Sequence, residues 1–236
     1  MINIFRLFFI ALAIIFFAII AAIAAILDRD FNLYCKVYKP FSNTIFKISG
    51  IKLKVSGIEN IELEEEYVFV SNHASQFDIP AVFASIPVKM ILFYKKELNK
   101  IPLFGWQLYI SPQIEIDRRN VDSARKSIER AKWLMSEKNM SILLFAEGTR
   151  SETGEIQPFK RGAFNLAGKV GAPIIPVTIS GSYPIMSKGK LKINPGTIKI
   201  HFDKPVPTEN IKTRQDEINL MNSVRQIMLN NHSMVV

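Results

Sequence analysis

A histidine and a carboxylate five residues apart are the first residues in this chain whose types and spacing could do chemistry. The run Tyr67-Val68-Phe69-Val70 reads as a strand and opens into Ser71-Asn72-His73-Ala74-Ser75-Gln76-Phe77-Asp78. Ligands in α/β sheets bind beyond the carboxyl ends of parallel strands, where this cluster falls. If the turn brings Asp78 back, its carboxylate accepts from His73 Nδ1–H, fixes the tautomer and leaves Nε2 free to take a proton from a hydroxyl. A plainer reading of the same residues stays open. Asp78 can N-cap the following helix, with Pro80 tolerated in the first turn, and His73 can be an ordinary loop histidine.

A second polar cluster follows another apolar run. Ser141-Ile142-Leu143-Leu144-Phe145 opens into Ala146-Glu147-Gly148-Thr149-Arg150-Ser151. Gly148 lets backbone approach a ligand closely, and Arg150 offers a planar fork suited to phosphate. A turn with a surface ion pair is the alternative. Other signatures are missing from the sequence. No Gly-x-Ser-x-Gly elbow supports a serine nucleophile, and no Gly-x-Gly-x-x-Gly occurs. Gly162 to Lys169 imitates a phosphate loop, but with five residues between the glycines and Val170 where Ser or Thr should stand. His73, His201 and His232 lie far apart, which argues against a metal hydrolase.

Short apolar runs alternating with helical patterns must position these clusters. Strands are expected at Ile51–Ser56, Tyr67–Ser71, Val88–Tyr94, Ile114–Ile116, Ser141–Phe145, Ile174–Ile179 and Thr197–Phe202. Val121, Ala124, Ile128, Ala131 and Met135 recur at helical spacing, and Ile211, Ile218, Met221, Val224 and Met228 predict a helix near the C-terminus. Strands interleaved with helices imply an α/β class with a largely parallel central sheet flanked by helices. The helix from Val121 to Met135 carries Arg125, Lys126, Arg130 and Lys132, which face either an anionic partner or solvent.

The N-terminal fifth is different. Leu7 to Leu27 holds 21 residues without Asp, Glu, Lys or Arg, about 31 Å as a helix and close to the hydrocarbon thickness of a bilayer. Apolar all round, it reads as a retained membrane anchor; Ala22-Ile23-Ala24 resembles a signal-cleavage site, but the run exceeds the usual signal core. Arg6 precedes it, whereas Arg29, Lys36, Lys39 and Lys47 follow, so the large C-terminal part is expected on the cytoplasmic side. Phe31 to Ile48 sets aromatic and aliphatic residues at helical spacing among lysines. It reads equally as an interfacial helix and as an ordinary helix leading into the domain, kinked or divided by Pro40. The expected division is a membrane anchor with an interfacial helix over 1–50 and a catalytic domain over 51–236.

The 236 residues carry 30 Lys+Arg against 21 Asp+Glu, a formal charge of +9, which predicts an anionic partner. With 48% hydrophobic and 22% charged residues the chain is neither disordered nor collagenous. A single cysteine, Cys35, excludes an internal disulfide and four-thiolate metal sites.

Five ordered blocks resemble the glycerolipid acyltransferases, specifically the 1-acylglycerol-3-phosphate acyltransferases. They are Asn72-His73-x-x-x-x-Asp78; Lys95-Lys96-Glu97-Leu98 with Ile101-Pro102-x-x-Gly105; Ile116-Asp117-Arg118; Phe145-x-Glu147-Gly148-Thr149-Arg150-Ser151 with Phe159-Lys160-Arg161-Gly162; and Ile175-Pro176-Val177. The resemblance implies that His73 is the general base and that Asp78 orients it. It implies direct attack of an acceptor hydroxyl on an acyl thioester, with no acyl-enzyme. Glu147, Gly148, Thr149 and Arg150 would form the acceptor site, Arg150 holding the glycerol phosphate, with Lys96, Arg118 and Lys160 as further phosphate contacts. The implied product is phosphatidate, made from 1-acylglycerol 3-phosphate. Acyl-CoA or acyl-carrier protein would be the co-substrate, the phospholipid bilayer a partner, and no metal, bound cofactor or nucleic acid is implied. Acylation of glycerol 3-phosphate or another lysolipid is the close alternative, and a non-catalytic basic membrane module binding anionic lipid or nucleic acid the distant one.

Overall fold

The computed structural model describes residues 2–116 and 121–235, with the side chains of residues 121, 122, 124 and 233–235 outside that set. The helices are α1 (Ile2–Leu27), α2 (Asn32–Lys36), α3 (Tyr38–Ser49), α4 (Asp78–Ser85), α5 (Phe104–Ile110), α6 (Val121–Lys138), α7 (Gly162–Val170) and α8 (Arg214–Val235). The strands are β1 (Ile51–Ser56), β2 (Val68–Ser71), β3 (Met90–Lys95), β4 (Ile114–Ile116), β5 (Ser141–Phe145), β6 (Ile174–Ser180) and β7 (Gly196–Phe202). The expected α/β class and all seven expected strands are present, with ends shifted by one or two residues.

The strands form one sheet in the order β1-β7-β6-β2-β5-β3-β4. Every neighbouring pair is parallel except β6–β7. The exception has a simple cause. Residues 181–195 contain no helix, and a strand returning without a crossover lies antiparallel to its predecessor. β2 sits in the middle, buried on both faces. Val68 and Val70 enter one core with α6, α7 and α8, and Phe69 enters the other with α3 and α4, as the two-residue period of a strand requires. Burial on both faces is why β2, β5 and β6 read as continuous apolar runs rather than alternating ones.

α1 is apolar from Leu7 onward but not uniform in size. Ala13, Ala18, Ala21, Ala24 and Ala25 are buried, whereas Phe8, Phe9, Leu12, Phe16, Ile19 and Ile23 are exposed. The alanine side lets the helix lie close against α3 and α5. Its two ends reach opposite parts of the same domain. At the N-terminal end Asn3 Nδ2 donates to Leu191 O (3.0 Å) and Arg6 Nη1 to Ile193 O (3.1 Å), just ahead of β7. At the other end the chain turns into α2, whose Tyr34 hydroxyl donates to Gln107 Oε1 of α5 (3.0 Å).

The helix expected over 31–48 is divided in two, at Val37 rather than at Pro40. Pro40 has no N–H for Lys36 O, and its ring would crowd that carbonyl, so the break falls one turn earlier. Pro40 then occupies the first turn of α3, where an N–H would be unused.

Candidate active site

β2 and β5 are neighbours with Ser71 opposite Phe145, so the segments after them leave the sheet side by side. Main-chain bonds tie the two together: Ser151 N–H donates to His73 O (2.7 Å) and Ala146 N–H to Ser71 O (3.0 Å), while the bond from Lys160 N–H to Ala146 O (2.7 Å) folds the second segment back on itself. On the other side Asn72 takes the place of a further ladder residue. Its amide nitrogen donates to Ile179 O (2.9 Å) and its oxygen accepts from Ile179 N–H (2.8 Å). The loop carrying His73 is thus pinned to both neighbouring strands.

His73 Nδ1 lies 2.8 Å from Asp78 Oδ2. The same oxygen accepts from Ala74 N–H (2.7 Å) and Ser75 N–H (2.8 Å). Asp78 opens α4 and is fully buried. Phe77 stands at the N-cap with no side-chain acceptor to cap the helix, and the Asp78 carboxylate turns back to the histidine loop instead of forward along the helix. The N-cap alternative is therefore not what the chain adopts, although a negative group in a helix's first turn still gains from the aligned peptide dipoles. The His73 ring stacks on Phe145, centroids 4.0 Å apart and planes at 21°. Among the described residues its Nε2 has no hydrogen-bond partner, and 15% of the side chain remains accessible.

Glu147 lies beneath this loop and not on its surface. Its Oε1 accepts from His73 N–H (3.2 Å), and Oε2 is buried without a partner among the described residues. Burial pushes its carboxyl up to about 7, Asp78 adding to the shift while the His73 and Gln157 N–H groups and Arg225 oppose it. Gly148 has φ +71°, and a Cβ there would come within 3.0 Å of Lys160 Cδ. This places the Lys160 chain directly against the turn. Thr149 is exposed and Arg150 half-buried, with no ion pair to Arg150 among the described residues.

The structure therefore gathers His73, Asp78 and Glu147 in direct contact, with Gly148, Thr149, Arg150 and Lys160 on the adjoining segment. Lys96 is exposed in the turn Lys96–Lys100 after β3. That turn lies at the same sheet edge but two strands from β2, on the order of 10 Å away by strand spacing. Arg118 lies outside the described residues. Sequence reasoning gave no role to Phe145, the Asn72 side chain, Ser75 or Arg225. Phe145 was accessible as the last residue of a strand beside the histidine. Arg225, on α8, carries no local signal at all.

Comparison with known proteins adds the family. The family model described as "Acyltransferase" matches residues 52–180. The 1-acyl-sn-glycerol-3-phosphate acyltransferase of Limnanthes douglasii is 32% identical over 179 residues, 76% of this chain and 62% of that protein. The 1-acyl-sn-glycerol-3-phosphate acyltransferase alpha of Bos taurus is 29% identical over 217 residues, 92% of this chain and 75% of that protein. The chain spans less than two thirds of the length of the Limnanthes relatives. In structure it resembles the 1-acyl-sn-glycerophosphate (LPA) acyltransferase PlsC of Thermotoga maritima, with a TM-score of 0.85, 26% identity, and coverage of 99% of this chain and 94% of that one. The matched region covers more than half of the chain and holds every ordered motif from Asn72 to Val177, and the chain belongs to the acyltransferase family.

Proposed function

We propose that this chain transfers a fatty acyl group from an acyl thioester to the sn-2 hydroxyl of 1-acylglycerol 3-phosphate, giving phosphatidate, with His73 as general base. The observation that carries the proposal is Asp78 Oδ2, which is buried and shared by His73 Nδ1 and two backbone N–H groups. That arrangement holds the ring proton on Nδ1 and leaves a lone pair on Nε2. Nε2 takes the acceptor hydroxyl proton as its oxygen attacks the thioester carbonyl carbon. The carbon–sulfur bond then breaks, and the proton on Nε2 passes to the departing thiolate. No covalent acyl-enzyme is needed, in keeping with the missing nucleophile elbow. Arg150 binds the acceptor phosphate, with Lys160, Lys96 and Arg118 adding positive charge. Glu147 acts as a positioning residue that fixes the His73 backbone. Thr149 and Gly148 shape the acceptor side, and the donor is acyl-CoA or acyl-carrier protein.

The acceptor is a bilayer amphiphile, and the most apolar 18 residues of α1 have a mean hydropathy of 3.2. Both ends of α1 reach the same domain, which favours a helix lying within one leaflet over one that crosses. A helix that does not cross leaves the domain on its side of synthesis, which we take to be the cytoplasm.

The test is phosphatidate formation by purified, detergent-solubilised protein from lysophosphatidate with acyl-CoA and, separately, acyl-carrier protein. The expected result is transfer that His73→Ala abolishes while the variant stays folded. Full activity in that variant sinks the mechanism. Activity on glycerol 3-phosphate or a phosphate-free lysolipid, with none on lysophosphatidate, sinks the acceptor assignment.

A further inference from the structure

Only Lys96 of the block Lys95-Lys96-Glu97-Leu98 with Ile101-Pro102-x-x-Gly105 enters the chemistry above, yet the geometry of the rest is unusual. α5 is amphipathic in the wrong sense for a helix facing water. Its outward positions Trp106, Tyr109 and Ile110 fall at i, i+3 and i+4, one face of a helix. Trp106 is 60% exposed and Tyr109 75%. The inward face holds Gly105, Leu108 and the polar Gln107, which is buried and bonded to Tyr34.

The chain holds this face outward by two local devices. Leu103 has φ +63° and ψ −58°, and Phe104 N–H donates to Pro102 O across it (2.7 Å). This is the rare, strained γ-turn with positive φ, here on a leucine. It presents Leu103 beside Ile101, both exposed. Gly105 then lets α5 close onto the preceding turn, since a Cβ there would lie 2.3 Å from Leu98 O.

α5 also packs on α1. The exposed apolar residues of the two helices therefore lie on adjoining elements. Lys95, Lys96 and Lys100 are exposed beside this surface, with Glu97 the one acid among them. Large apolar residues, a tryptophan and a tyrosine, and flanking lysines form the composition of a membrane–water interface. The segment leaves the end of β3, at the sheet edge that carries His73.

We propose that residues 101–110 form a second membrane-contacting element beside α1, seating the His73 edge of the sheet on a lipid surface containing anionic phospholipid. The proposal rests on the membrane-bound acyltransferase reading for the lipid nature of its partner. It adds that the Ile101-Pro102-x-x-Gly105 block works as a docking elbow, so that a lysolipid in the leaflet lies next to the acceptor site. Trp106 and Tyr109 enter the headgroup region, and the lysines meet anionic headgroups.

The chain's two tryptophans, Trp106 and Trp133, allow a direct test. Full-length W133F, with Trp106 alone, and W106F, with Trp133 alone, are added to phosphatidylcholine–phosphatidylglycerol vesicles containing brominated phosphatidylcholine. The expected result is strong quenching and a blue shift of Trp106. The triple variant W106S/Y109S/I110S should transfer to vesicle-borne lysophosphatidate with kcat/KM lower by about tenfold or more, the scale of removing large apolar side chains from a buried surface. Transfer to a short-chain acceptor below its micelle concentration should be preserved, which a merely unfolded variant could not do. Trp106 unquenched while wild type binds vesicles and is active would overturn the docking elbow and leave the function reading intact. So would a detergent-solution dimer that the triple variant dissolves, because the patch would then belong to a second copy. Wild type that neither binds vesicles nor transfers acyl groups would overturn both.

Discussion

Replacing Asp78 by asparagine tests the proposed dyad with the smallest change of shape. Oδ2 receives three N–H donors at 2.7–2.8 Å in a fully buried setting. An asparagine oxygen in the place of Oδ2 can still serve Ala74, Ser75 and His73 Nδ1, but as a neutral acceptor, and the amide NH2 falls at the Oδ1 position, buried without a partner among the described residues. What is lost is the negative charge that stabilises the imidazolium formed when Nε2 takes the hydroxyl proton. Positioned general bases contribute about 10²–10⁴ in rate, or roughly 3–5 kcal/mol of barrier. D78N is therefore expected to lose that factor in kcat with KM little changed. Exchanging charge-assisted bonds for neutral ones costs about 1–3 kcal/mol of stability, or a Tm drop of about 2–10 °C for a chain of this size. The assay is steady-state transfer to lysophosphatidate by wild type, D78N, H73A and the double variant, each checked by thermal melting. Because the two residues act as a unit, the double variant should be no slower than H73A. A folded D78N with kcat within about threefold of wild type, or losses that multiply in the double variant, would refute the reasoning.

Three further expectations follow from other residues. The Glu147 carboxyl, raised from 4.5 to about 7, keeps in the folded state a proton that the unfolded chain releases. Its favourable contribution is full below about pH 4.5 and is lost as pH rises through 7. Wild type should thus lose stability relative to E147Q between pH 5 and 8, on the order of 1–3 kcal/mol; parallel urea midpoints across that range would contradict this. G105A forces a Cβ to within 2.3 Å of Leu98 O and should cost about 1–3 kcal/mol as an overpacked contact, read as a lower Tm. An unchanged melt would mean that α5 does not sit so tightly. R150A should raise KM for the phosphorylated acceptor by about tenfold or more, the scale of a lost charge-assisted pair, with kcat nearly unchanged; an effect on kcat alone would move Arg150 away from the phosphate.

The histidine–carboxylate pair was legible because a strand ends just before it, and polar residues crowding a strand end are local information. The parallel sheet was legible for a similar reason, since β2, β5 and β6 carry unbroken apolar runs that only double-sided burial explains. The direction of β7 was not, because Thr197 to Phe202 has the same pattern whichever way it pairs. The 21-residue apolar run shows a related limit. It reads as apolar all round, yet Ala13, Ala18, Ala21, Ala24 and Ala25 are buried while Phe8, Phe9, Phe16, Ile19 and Ile23 are exposed, a partial sorting by size that hydropathy does not register. α5 is not among the elements the sequence predicts: a single i, i+3, i+4 set within seven residues is too short a pattern to distinguish a helix from a loop. Glu147 shows the limit within the site. Its place in the motif indicated function, but its pairing with the His73 backbone depends on the lateral register of β2 and β5, which no local pattern carries.

The position of α1 has a mechanical consequence. A 26-residue helix is about 39 Å long and 10 Å wide, so lying flat it claims roughly 400 Å² of one leaflet and none of the other. Inserting such a wedge does work against the lateral pressure of the lipids, and that work falls where the leaflet is loosely packed or convex. The proposed reaction turns a single-chain, inverted-cone lipid into a two-chain lipid of the opposite taper, changing the packing around the helix as product accumulates. Residence on the membrane would then be tied to the shape of the lipids the enzyme consumes and makes, a feedback through surface tension that needs no regulatory site.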